Sequence, residues 1–141
     1  ETLTYDERFI KNIDVRPMLD KLSKQFSEIK QAAQTDPDKA YEKLDSIREY
    51  GVGPVKLLTL LYFLSQGKSP IYDQFAEIAV DAYLSDTRPD NEVRYTGLPG
   101  TVTGNLKRFK AYKDKLDSIF HTDDYRDRSI DRALWVYGHW F

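Results

Sequence analysis

Apolar residues in this chain recur at intervals of three and four, segment after segment, and no stretch alternates apolar with polar as a half-buried strand would. Met18, Leu22, Phe26, Ile29 and Ala33 mark one face of a helix that Asp14 can cap and that runs to about Gln34, with Pro17 tolerated in its first turn. Asp36-Pro37 is a second start signal, and Ala40, Tyr41, Leu44 and Ile47 form the inner face of a helix through Arg48. Gly51-Val52-Gly53 reads as a tight turn whose glycines permit positive φ and close backbone approach. Pro54 opens the next helix; Leu57, Leu58, Leu60, Leu61 and Leu64 make it apolar nearly all round, which predicts burial, and Gly67 stops it. Asp73 stands at an N-cap position before Phe75, Ala76, Ile78, Ala79, Ala82 and Tyr83, a helix to about Leu84.

Residues 85–100 lose both periods and collect Pro89, Asn91, Gly97, Pro99 and Gly100, which predicts a loop long enough to be functional. Val102, Leu106, Phe109, Lys113, Leu116 and Phe120 define a further helix, with Lys113 on its inner face beside Tyr112. The charged run Asp123 to Arg128 leads to Ser129, a cap for a last helix through Tyr137 with Gly138 at its C′ position. Residues 1–13 read as an arm, in which Phe9 and Ile10 are able to dock. The expected fold is all-α: one compact helical domain over residues 1–141, with a helix-hairpin-helix motif at 47–65.

Composition narrows the chemistry. The chain has 141 residues, 40% hydrophobic and 31% charged, which suits one soluble globular domain. It has no cysteine, so disulfides, iron–sulfur clusters and thiolate zinc sites are excluded. His121 and His139 are the only histidines, and no metal site is expected. A net charge of −2 gives no bulk attraction to nucleic acid, so binding would need a local patch. Arg88, Arg94, Lys107, Arg108 and Lys110 offer one, or form an ordinary solvated face. No apolar run reaches spanning length and the start has no signal-peptide character, so a cytoplasmic address is expected.

Two features carry candidate chemistry. A G-x-G turn opening a helix presents backbone N–H groups and the positive end of the macrodipole, a place for one phosphate. Gly51 and Gly53 have no side chains to hold the phosphate off, and Lys56 can add charge or simply snorkel. The alternative is a tight interhelical corner and nothing more. Asp73 likewise has two compatible readings: a cap, or a fixed carboxylate able to stabilise an oxocarbenium-like sugar. Tyr72, Trp135 and Trp140 are candidate stacking rings, each also accountable as core. Tyr50 and His139 lie near these features without an assigned role.

The run Gly51-Val52-Gly53-Pro54, a buried helix, and then Ser69-Pro70-Ile71-Tyr72-Asp73 resembles the helix-hairpin-helix DNA glycosylase superfamily. The closing D-R-A-L-W-V-Y-G-H of Asp131 to His139 is similar to small bacterial proteins with an 8-oxoguanine DNA glycosylase fold. The resemblance proper covers residues 47–84. It implies hydrolysis of the N-glycosidic bond of a damaged or mismatched base rotated out of duplex DNA. Asp73 would then support charge on the sugar. Gly51, Gly53 and Val55 would hold a phosphate through backbone N–H groups, beside a monovalent cation on the hairpin carbonyls. Bifunctional members use a lysine where this chain has Val55, with Lys56 next to it, so the expectation is a monofunctional enzyme without lyase activity. Two departures stand: only about fifty residues precede the hairpin, and the surface charge is near neutral. A non-catalytic hairpin module binding nucleic acid or protein, and a helical adaptor docking through its aromatic C-terminus, remain open alternatives.

Overall fold

A computed structural model describes residues 16–87, 97–122 and 124–139. Among these residues there are six helices and no strand. They are α1 (Arg16–Thr35), α2 (Pro37–Ile47), α3 (Pro54–Leu64), α4 (Gln74–Leu84), α5 (Val102–Phe120) and α6 (Ser129–His139). The expected Asp14 cap lies outside the described residues. Among them, no helix is long and apolar enough to cross a membrane.

Each boundary has a local cause. Asp36 caps α2 by accepting from the Lys39 N–H at 3.3 Å, with Pro37 in the first turn, as the dipeptide predicts. Thr101 caps α5 through the Gly104 N–H at 3.1 Å. At α6 the cap differs from expectation: Ser129 lies inside the helix and donates its N–H to Asp127 Oδ1 at 2.9 Å. That bond holds the Asp127 carboxyl below its usual range. The last helix also runs through Gly138 rather than stopping before it, for a packing reason given below.

The helices fall into two packed groups. Helices α1, α2 and α3 contact one another, while α4 packs on α6 and α5. The groups join where α2 meets α5. There Asn105, buried on α5, donates to the Tyr41 hydroxyl at 3.1 Å and accepts from the Gly100 N–H at 2.9 Å. One core runs through both groups: Ile29, Tyr41, Leu44, Leu57, Leu58, Leu61, Tyr72, Val80, Tyr112 and Leu116 are almost completely buried. Helix α3 is the most apolar of the six, but Val55 and Phe63 still face solvent, so its burial is one-sided. On α5 the inner positions belong to Asn105, Phe109, Tyr112 and Leu116. Lys113, half-buried at the edge of that face, pairs with Asp117 at 2.8 Å.

Candidate functional site

The turn between α2 and α3 is pinned from both sides. Val52 is buried in the core, its N–H bonds to Glu49 C=O at 3.0 Å, and Arg48 Nη1 donates to Val52 C=O at 3.2 Å. Arg48 Nε is itself held by Asp45 at 3.0 Å. Gly51 has φ of +91°, a conformation that favours glycine. Gly53 does not: its φ of −84° and ψ of 176° suit any residue. The two glycines therefore have different reasons. Gly53 is the N-cap of α3, gives no side-chain cap, and a Cβ there would meet no atom of the described residues within 4 Å. In the first turn of α3, Val55 is 41% exposed and Lys56 lies on the surface. Tyr50, beside the turn, is 98% exposed.

Asp73 is set by what precedes and follows it. Ser65 Oγ donates to Tyr62 C=O and accepts from the Ser69 N–H, both at 3.0 Å, which fixes the connector leaving α3. Tyr72 then inserts into the core, its ring edge-on to Tyr112 with centroids 5.4 Å apart. Its ring is taken by protein, so Tyr72 is a core residue and not a stacking surface. Asp73 follows in extended backbone and caps α4: Oδ1 accepts from Phe75 N–H at 2.8 Å and Ala76 N–H at 3.3 Å. The residue stays partly exposed. Its charge reaches inward as well. Burial first, and then Asp73, Asp131 and Glu77, push the Tyr112 hydroxyl far above its usual range.

Neither Asp73 nor the Gly51–Gly53 turn lines any of four of the better-formed concavities among the described residues. The one flanking the Ile71–Tyr112 side, closed by Ile130, Asp131 and Leu134, measures about 10 Å³, room for a single water. The turn sits in the first helix group and Asp73 in the second. The turn and Asp73 therefore share none of these four.

Helix α6 lies tightly against the start of α4. A Cβ at Gly138 would come within 2.1 Å of Phe75 C=O, so only glycine permits this approach, and the residue is a contact point rather than a terminator. His139 stacks on Phe75 (centroids 3.4 Å, 32°) and on Trp135 (3.7 Å, 37°), and its Nδ1–H donates to Trp135 C=O at 2.7 Å. Trp135 remains 49% exposed. Trp140 lies outside the described residues.

The expected basic patch is thinner than its sequence. Arg108 is drawn inward: Nε and Nη2 donate to Glu77 Oε1 at 3.0 and 2.5 Å, and Nη1 to Gly97 C=O at 2.5 Å. Glu77 is buried on α4, with Oε2 lacking a hydrogen-bond partner among the described residues. Lys107 and Lys110 are exposed, and Lys110 borders a cleft of about 320 Å³ shared with Asp36, Asp38 and Asp114. Arg88 and Arg94 lie outside the described residues. Among those described, no group of three or more His, Asp or Glu side chains could hold a metal ion. The Glu77–Arg108 pair was missed in the sequence; the signal was a glutamate at helical spacing among Ala76, Ala79 and Val80 on a buried face.

Comparison with protein-family models, curated proteins and solved structures gave no match to this chain.

Proposed function

We propose that this protein is a DNA glycosylase-like protein of the helix-hairpin-helix kind, hydrolysing the N-glycosidic bond of a damaged or mismatched base without lyase activity. The observation that carries the reading is the state of Asp73. Its carboxylate is oriented by two N–H groups on one oxygen, yet the residue remains partly open to solvent. A preoriented charge of this kind favours a transition state in which the sugar becomes cationic, because little reorganisation is needed when the charge develops. The C1′–N bond would break with its electron pair leaving on the base. Water would add to C1′, and its proton would pass to the departing base. The turn at Gly51–Gly53 would hold a phosphate of the same strand through N–H groups at the start of α3, Val55 among them. The monovalent cation that the resemblance implies would have to share the turn's carbonyls with Arg48, whose Nη1 already donates to Val52 C=O at 3.2 Å. Val55 stands where a Schiff-base lysine would be needed, which supports hydrolysis over lyase chemistry. Trp135, half exposed beside the start of α4 with His139 against its ring, and Trp140 remain the candidate rings to stack on a base.

A second reading has its own observation. Capping alone accounts for both bonds of Asp73, and none of the four concavities reaches it. On that reading the chain is a non-catalytic hairpin module that binds nucleic acid or protein. Single-turnover assays of the wild type on a panel of duplexes, each with one damaged or mismatched base, separate the two. The enzyme reading expects base release from at least one duplex, lowered about 100-fold or more in Asp73→Asn. Absence of release across the panel, with duplex binding retained, establishes the binding module instead.

A further inference from the structure

We infer that the closing run Trp135–His139 is a positioning clamp for Asp73, with His139 as its central residue. This rests on the proposed role of Asp73 for its catalytic meaning, although the clamp itself is a matter of packing. The contacts form one unbroken path. Trp135 C=O accepts from His139 Nδ1–H at 2.7 Å, which sets the imidazole's plane and tautomer. That imidazole lies against Phe75 at 3.4 Å between centroids. Gly138 meets the same residue from the backbone side, where a Cβ would stand 2.1 Å from Phe75 C=O. Phe75 is therefore held by both its ring and its carbonyl. Its N–H is the shorter of the two bonds to Asp73 Oδ1, 2.8 Å against 3.3 Å for Ala76.

An ordinary N-cap needs no such support. A carboxylate accepting from two first-turn N–H groups is already a stable cap. What the clamp adds is restraint on the peptide that aims the carboxylate, and restraint of that kind is what a preoriented catalytic charge requires. The spacing in the sequence has the same explanation. Trp135 and His139 are four residues apart, so the imidazole reaches back to the carbonyl one turn earlier, while Gly138 lies on the face turned to α4.

Amide hydrogen exchange tests the clamp without DNA or turnover. His139→Ala is expected to speed exchange of the Phe75 and Ala76 N–H groups about ten-fold relative to the core amides of α1 and α2, which should not change. His139→Phe, which keeps a ring against Phe75, should restore most of the protection. In single-turnover assays on a cleaved duplex, His139→Ala should slow release and leave duplex affinity as it was. Unchanged exchange at Phe75 and Ala76 in His139→Ala overturns the inference. So does a uniform rise across all amides, which would show general destabilisation. A protein that shows the local effect but releases no base keeps the clamp and loses the enzyme.

Discussion

At position 53 the backbone is extended and an added Cβ would touch none of the described residues, so the fold accepts side chains there. Gly53 is also the N-cap of α3 and gives that helix no side-chain acceptor. Gly53→Ser therefore separates stability from binding. The hydroxyl can accept from the N–H of Val55, the second helical residue, and stabilise the protein by a few tenths of a kcal/mol. If that N–H is one that holds a phosphate, the same hydroxyl competes for it, and duplex affinity should fall about ten-fold. Chemical denaturation and fluorescence anisotropy read the two effects side by side. Gly51 contrasts with it: at φ of +91° a side chain is strained whatever binds, so a variant there reports on the fold.

The elements α4 and α5 are joined by charge as much as by apolar contact. Glu77 is buried with one oxygen unpaired among the described residues, and Arg108 supplies both bonds to the other. Lys115 and Asp81 add a more exposed pair at 2.7 Å between the same helices. Removing the guanidinium leaves a carboxylate in a site that cannot solvate it, so Arg108→Ala should cost about 3–5 kcal/mol. Lys115→Ala should cost below about 1 kcal/mol. Urea unfolding of the two variants decides whether this asymmetry holds. The elements themselves were legible because their signals are local: Asp36-Pro37, Gly53-Pro54 and Asp73 each announce a helix within a few residues. Partnerships across the fold were not. Arg108 looked like surface charge because its acid lies 31 positions away, and Gly138 looked like a terminator because its neighbour is Phe75 C=O on another helix. Tyr72 and Tyr112 were recognisable as aromatic, but only packing decided that both are core. Asp73 was legible as a cap, and the cap is what the structure contains.

At the scale of the whole molecule, the junction of the two helix groups is built on buried tyrosines. Tyr112 and Tyr41 both have hydroxyl pKa values raised mainly by burial. Folded values above the unfolded value of about 10 mean that the native state keeps protons the unfolded chain has released. Their contribution is complete below that pH and is lost as pH climbs from it toward the folded values, so stability should decline above about pH 10. Tyr112→Phe should flatten this alkaline limb with little cost at neutral pH, since the hydroxyl's one described bond, to Ile71 C=O, is long at 3.4 Å. Thermal melts across the alkaline range read the slope.

The two helix groups also divide the proposed work, with the strand held at the turn of the first and the sugar met by Asp73 of the second. The most direct measurement takes one cleavable duplex and records affinity and single-turnover base release for Gly53→Ser and Asp73→Asn together. The account predicts that Gly53→Ser weakens binding while release at saturating protein stays near wild type, and that Asp73→Asn binds normally and releases about 100-fold less or lower. Release by Asp73→Asn at the wild-type rate would contradict it.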